Sequence, residues 1–261
     1  MTFTITPLVV AYGPHREKSR FTYMHYAGET IDLPYVSWLI EGEGIRALVD
    51  VGCSATDYVE HIRPADRPLV HVGQTFDDVQ DVTTIEEHLA ARGWTPDDID
   101  MVILTHLDWD HCMSTRIFHK SKIILQRSEW DALPPHPLFK SGYCPPYIYE
   151  EIGDMDLDLV EGDKQLAEGL RLMLTPGHTP GGQSVVVDTR NGKFVIGGMC
   201  TIRENFYPPA DLGDIEYKVI PPGGHVDVIG AYDSMIRMLD VGGDNVLPVH
   251  DLRAFDMGVV G

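Results

Sequence analysis

The chain has 261 residues, 43% of them apolar and 23% charged, which suits a soluble globular protein with a substantial core. Its formal net charge is −20, with 40 acidic against 20 basic side chains. A surface that acidic repels phosphate backbones and anionic membranes, so no nucleic-acid or membrane partner is expected; the charge says little about a small-molecule substrate.

The opening "MTFTITPLVVAYG" lacks the basic start and long apolar run of a signal or a membrane span. Cys53, Cys112, Cys144 and Cys200 are scattered, with no CxxC pair, as expected of a reduced, cytoplasmic chain. "TFTITPLVVAYG", "YVSWLIEG" and "IRALVDVG" read as antiparallel strands, the last two joined by a turn around Gly42–Gly44. "TTIEEHLAARGW" reads as an amphipathic helix capped by Thr83 or Thr84. "DIDMVILT" is a buried strand, and "SKIILQRSEW" a strand running into a helix. Residues 131–163, rich in Pro, Tyr and acidic groups, read as a long functional loop holding a short helix. "LRLMLT", "QSVVVDT" and "GKFVIGG" are strands, "VIGAYDSMIRMLD" a helix and "DNVLPV" a final strand. No linker splits the chain, so one domain over 1–261 is expected.

Three apolar strands end in polar clusters. "MVILT" ends in His106, Asp108, Asp110 and His111; "LRLMLTPG" ends in His178; "NVLPV" ends in His250. In layered α/β folds, sites are built at that edge. Histidine and carboxylate are the usual ligands of zinc and similar ions. Without a metal, the cluster at 106–111 would crowd two carboxylates at a strand end. His15, His61, His71, His119 and His136 lack such company and read as ordinary solvated or hydrogen-bonded side chains. Cys112 reads as a small buried side chain, Trp109 as a pocket wall or packing, and His225 as a helix-start residue. "YCPPYIY" and "NFYPP" are candidate walls of an apolar pocket.

"THLDWDH", "TPGHTPGGQS" and "LPVHD", with "LVDVG" and its Asp50, together resemble the metallo-β-lactamase superfamily. "HCMSTRIF", "IRENFYPP" and "GGHVDVIGAYDSMIRML" look most like its N-acyl-homoserine lactonase branch. The resemblance implies an α/β four-layer αβ/βα sandwich with metals at one edge. It implies a first metal on His106, Asp108 and His178, and a second on Asp110, His111 and His250. The ion would be Zn²⁺, one or two per chain. The implied reaction is attack of metal-bound hydroxide on a lactone or related ester, with Asp110 orienting the nucleophile and shuttling the proton. Relatives often pair, so a homodimer fits.

Two departures stand out. The family pattern is H-x-H-x-D-H, and this chain reads H-x-D-x-D-H. Asp108 adds negative charge and shifts preference toward harder ions such as Mn²⁺ or Fe²⁺. The family's bridging aspartate falls on Gly198 or Met199, with Cys200 one residue away. The tyrosine common in lactonases falls on Thr201 or Ile202, which leaves Tyr207 as the nearest candidate for substrate binding, beside Trp109. Each half-site then has two histidines and one carboxylate. That composition opens a second reading, a mononuclear iron or manganese enzyme with oxidative or isomerising chemistry. A third is a non-catalytic relative.

Overall fold

A computed structural model describes residues 2–62, 79–137, 145–212 and 216–261. The expected first three strands form an antiparallel run: β1 (Thr4–Glu17), β2 (Thr30–Gly42) and β3 (Ile45–Val49). The β2–β3 turn falls at Glu43–Gly44. A short β4 (Gln80–Asp81) pairs with β1 and was not legible as a strand. Helix α1 (Ile85–Ala90) starts at Thr84, which accepts from Glu87 N while Glu87 accepts from Thr84 N, a reciprocal capping box.

From there the first sheet turns parallel. β5 (Met101–Ile103), β6 (Lys122–Gln126) and β7 (Leu157–Val160) line up beside β3 in the order β4-β1-β2-β3-β5-β6-β7. One-turn helices follow two of them: α2 (Trp109–Cys112) after β5 and α3 (Arg127–Trp130) directly after β6. The expected loop over 131–163 needs correction. It contains the expected helix, α4 (Pro146–Gly153), but also β7, whose acidic residues disguised an edge strand.

A second sheet comprises β8 (Lys164–Ala167), β9 (Leu170–Leu174), β10 (Gln183–Thr189), β11 (Gly192–Gly197) and β12 (Val246–Pro248), in the order β12-β11-β10-β9-β8. Two further helices precede β12: α5 (Arg203–Phe206) and α6 (Val228–Gly242).

The apolar periodicity explains the layers. Ile5, Trp38, Ile40, Val49 and Ile103 on the first sheet pack with Leu172, Val185, Ile196 and Leu247 on the second, which makes the central core. The opposite face of the first sheet, with Leu39, Leu48 and Val102, packs against Ile85 and Leu89 of α1 and Ile148 and Ile152 of α4. The opposite face of the second, with Met173, Val186 and Val195, packs against Ala231, Met235 and Met238 of α6. Helices, sheet, sheet and helices thus form the expected four-layer αβ/βα sandwich. Among the described residues no helix is long and apolar enough to cross a membrane.

Candidate metal centre

The carboxyl ends of β5, β9 and β12 converge on one edge of the sandwich. There His106, Asp108 and His178 offer ligand atoms within 4.8 Å of one another, and so do Asp110, His111 and His250. The rings of His106 and His111 lie 4.1 Å apart, so the two groups adjoin. These are the six residues expected from the sequence, sorted into the two expected groups.

The imidazoles are aimed by their outer nitrogens. His111 Nδ1 lies 2.7 Å from Asp50 Oδ2, and His106 Nδ1 lies 2.9 Å from Thr105 Oγ1. The Thr105 hydroxyl donates to Asp50, so it accepts from His106. His178 Nδ1 lies 2.6 Å from Gly224 O, and His250 Nδ1 lies 2.9 Å from Pro34 O. Each acceptor holds Nδ1 and so turns Nε2 inward. The Nε2 atoms of His106, His111 and His250 are buried and have no hydrogen-bond partner. Buried nitrogens are normally satisfied. Three such atoms converging beside two carboxylates fit a bound divalent cation, and the mixed His and Asp donor set suits zinc, manganese or iron.

The carboxylates complete the picture. Asp108 occupies the N-cap of α2 but makes no capping bond. Its Oδ2 instead lies 3.1 Å from His178 Nε2 and 3.5 Å from His106 Nε2. Asp110 Oδ2 lies 3.4 Å from His111 Nε2 and 3.6 Å from His250 Nε2. Asp50 is fully buried and accepts from Thr105 N, the Thr105 hydroxyl and His111 at 2.7 to 2.8 Å.

Charges shift accordingly. Burial works to lower His111, but the Asp110 and Asp50 carboxylates outweigh it and hold it up at about 9. Burial pushes His250 down to about 4. Burial also lowers His106, reinforced by His111. His178 is raised against its burial by the hydrogen bond to Asp108. Asp108 is driven far below the carboxylate range because His106 and His178 overcome its desolvation.

The segment after β11 supplies no carboxylate. A Cβ on Gly198 would come 1.7 Å from Gln183 O, so no side chain fits there. Met199 is fully buried and faces α6. Cys200 is half-buried, lies outside both ligand groups, and has its thiol pushed up by burial and by Asp110 and Asp108.

Two expectations for the pocket change. The Tyr207 hydroxyl donates to Gly243 O and accepts from Val246 N, at the start of β12 rather than at its His250 end, so Tyr207 does not stand in for the lactonase tyrosine. Trp109 is packed between Tyr35 and Tyr58 at 5.2 and 5.0 Å, the packing half of its expectation. His225 precedes α6, whose cap is Asp227, and stacks edge-on with Tyr23 at 5.2 Å. Cys112 is buried, as expected. His71, Cys144 and part of the "YCPPYIY" wall lie outside the described residues.

Residues 30–250 match the family described as the metallo-beta-lactamase superfamily, and the chain belongs to it. It is similar to N-acyl homoserine lactonases from Bacillus cereus (29% identical) and a Bacillus species (31%), each over 65% of this chain and 64% of the relative. It is also similar to the N-acyl homoserine lactonase AiiB of Agrobacterium fabrum, 29% identical over 73% of this chain and 71% of that one. Among solved structures, a variant of B. thuringiensis AiiA with N-decanoyl-L-homoserine bound at the active site superposes with a TM-score of 0.75. That pair is 24% identical, over 98% of this chain and 96% of the other. AidC, described as a dizinc quorum-quenching lactonase, gives 0.62 at 17% identity, over 96% and 88%.

Proposed function

We propose that this protein is a metal-dependent hydrolase that opens a lactone, an N-acyl homoserine lactone being the first class to test. The observation that carries the proposal is the convergence of four inward-aimed imidazoles on two carboxylates. The choice of lactone rests on the names of the curated relatives.

His106, Asp108 and His178 would hold one divalent ion, and Asp110, His111 and His250 the other. Ions held there would supply Lewis acidity for carbonyl attack by water. The side chains do the rest. Asp110 orients the attacking water and accepts its proton as the new C–O bond forms at the lactone carbonyl. The ring C–O bond then breaks, and Asp110 returns the proton to the departing oxygen, leaving a hydroxy acid. Asp50 and Thr105 keep His111 and His106 in register during these steps. Tyr23, Met24, Tyr217, Val226 and Ile229 are exposed apolar side chains. Tyr23 and Val226 bond through their backbones to Pro221 O and to Gly177 and His178 O, beside the centre, which suits an acyl substituent. The reading includes a single domain, a cytoplasmic location and an optional homodimer. Cys53, free and buried, supports a reducing compartment.

The test is proton release on adding N-acyl homoserine lactones of graded chain length. Ring opening that stops with a chelator and returns with Zn²⁺ or Mn²⁺ supports the proposal. No ring opening by metal-replete protein on any lactone or ester contradicts it. A second reading, oxidative or isomerising chemistry on one iron or manganese, is favoured by the absent carboxylate at 198–200. Oxygen consumption by the iron-loaded protein would mark it.

A further inference from the structure

Glu129 is fully buried on α3, immediately past the carboxyl end of β6. Its two carboxylate oxygens serve two different loops. Oε1 accepts from Leu107 N at 3.0 Å, and Oε2 accepts from Gly181 N at 2.9 Å. Leu107 stands between His106 and Asp108, and Gly181 lies three residues beyond His178. The second loop sits directly on α3: a Cβ at Gly181 would come within 2.1 Å of Glu129 N. β5 and β9, which lead into these loops, belong to different sheets. The group His106, Asp108 and His178 is therefore split between the sheets, and one carboxylate ties its two parts.

A buried carboxylate is expensive to desolvate, and it is retained only where hydrogen bonds satisfy it. Two N–H groups flanking the ligands satisfy this one. The strands themselves have other ties. Gln183 N donates to Thr105 O at 2.9 Å, and Gln183 Nε2 donates to Leu104 O at 2.8 Å. Holding the sheets together thus does not depend on Glu129. The group Asp110, His111 and His250 is aimed by different acceptors, Asp50 and Pro34 O.

We propose that Glu129 is a positioning residue that sets the Asp108 to His178 separation, and so governs the affinity of one half of the centre and not the other. This rests on the reading that both groups hold a divalent ion. Glu129→Gln keeps the shape but faces one N–H with an amide N–H, which breaks one of the two ties. Glu129→Asp keeps the charge but cannot reach both loops.

The experiment is titration of metal-free protein with Zn²⁺ by calorimetry, alongside melting of the metal-free forms. Wild type should take up two ions. Glu129→Gln should bind one of them roughly 10- to 100-fold more weakly, with the other within about twofold of wild type. His178→Ala, which removes a ligand of the affected group, should abolish the same binding step. A merely structural role would weaken both steps together in parallel with metal-free stability, and that result overturns the proposal. Two unchanged steps also overturn it. Should Glu129→Gln fail to fold, Glu129→Asp must show the same selective loss, and a uniform loss in that variant is contrary evidence. Wild type that takes up no zinc sinks the metal reading and this inference together. Wild type with two ions and an unaltered Glu129 variant sinks this inference alone.

Discussion

Asp108 Oδ2 lies 3.1 Å from His178 Nε2, across 70 residues of chain and between two sheets. Where the family pattern has a histidine, this chain places a carboxylate against a histidine from the other sheet. The contact makes the two half-sites alike, each with two imidazoles and one carboxylate. The anionic group lost after β11 is thereby regained within the first half-site, though not as a bridge.

Asp108→His restores a softer, neutral ligand. The ratio of zinc to manganese affinity at that half-site should rise by roughly tenfold. Competition binding measures it. An unchanged ratio would show that Asp108 does not set metal preference.

Asp50→Asn tests the buried hub. Asp50 takes φ +58°, a conformation that asparagine also tolerates, so the backbone can persist. An amide cannot accept all three of the donors that now face the carboxylate. The metal-free protein should lose about 2 to 4 kcal/mol, read by urea unfolding. Zinc should weaken most at the group containing His111, the opposite half from Glu129.

The histidines give the metal-free protein a pH signature. Folded His111 keeps its proton up to about pH 9, against about 6.5 in the unfolded chain. Between those values the folded state binds more protons, so stability falls as pH rises. The His111 contribution is complete below pH about 6.5 and is lost through about pH 9. His250 acts on the other side. Its folded pKa of about 4 means that its contribution holds above pH about 6.5 and is lost as pH falls toward 4. Melting of metal-free protein from pH 4 to 9.5 checks both limbs. The upper limb should flatten in His111→Gln, and an unaltered limb would contradict the assignment. Zinc uptake between pH 6.5 and 9 should release the His111 proton, seen as a buffer-dependent binding heat.

Chelation should destabilise the native chain, because bound metal favours the folded state. With metal at 100 times its Kd, the stabilisation is about 2.7 kcal/mol per ion. Loss of two ions should lower the melting temperature by about 10 to 20 °C. A melting temperature indifferent to chelator speaks against occupied sites.

What the sequence disclosed follows from where chemistry sits in this fold. His106, Asp108, Asp110, His111, His178 and His250 each follow an apolar strand, and such local contrast is visible without coordinates. The acceptors that aim them are less visible. Pro34 O and Gly224 O are backbone atoms with no side-chain signature. Glu129 obeys the same strand-end rule after "KIILQ", but a glutamate in a short helix reads as exposed. β7 does not read as a strand in sequence because its edge position tolerates the aspartate of "LDLV". Tyr207 is near the expected tyrosine position in sequence only. The buried amide of Asn205, bonded to Phe21 O, Ile220 O and Ile202 N, fixes that turn with the tyrosine pointing elsewhere.

The most direct test is the number of metal ions per chain, by inductively coupled plasma mass spectrometry on protein prepared without a metal-binding tag. Two occupied half-sites give close to two ions in the wild type, and close to one in His178→Ala and in His250→Ala, each variant emptying a different half. Wild type without metal, or variants that both keep two ions, would contradict that arrangement.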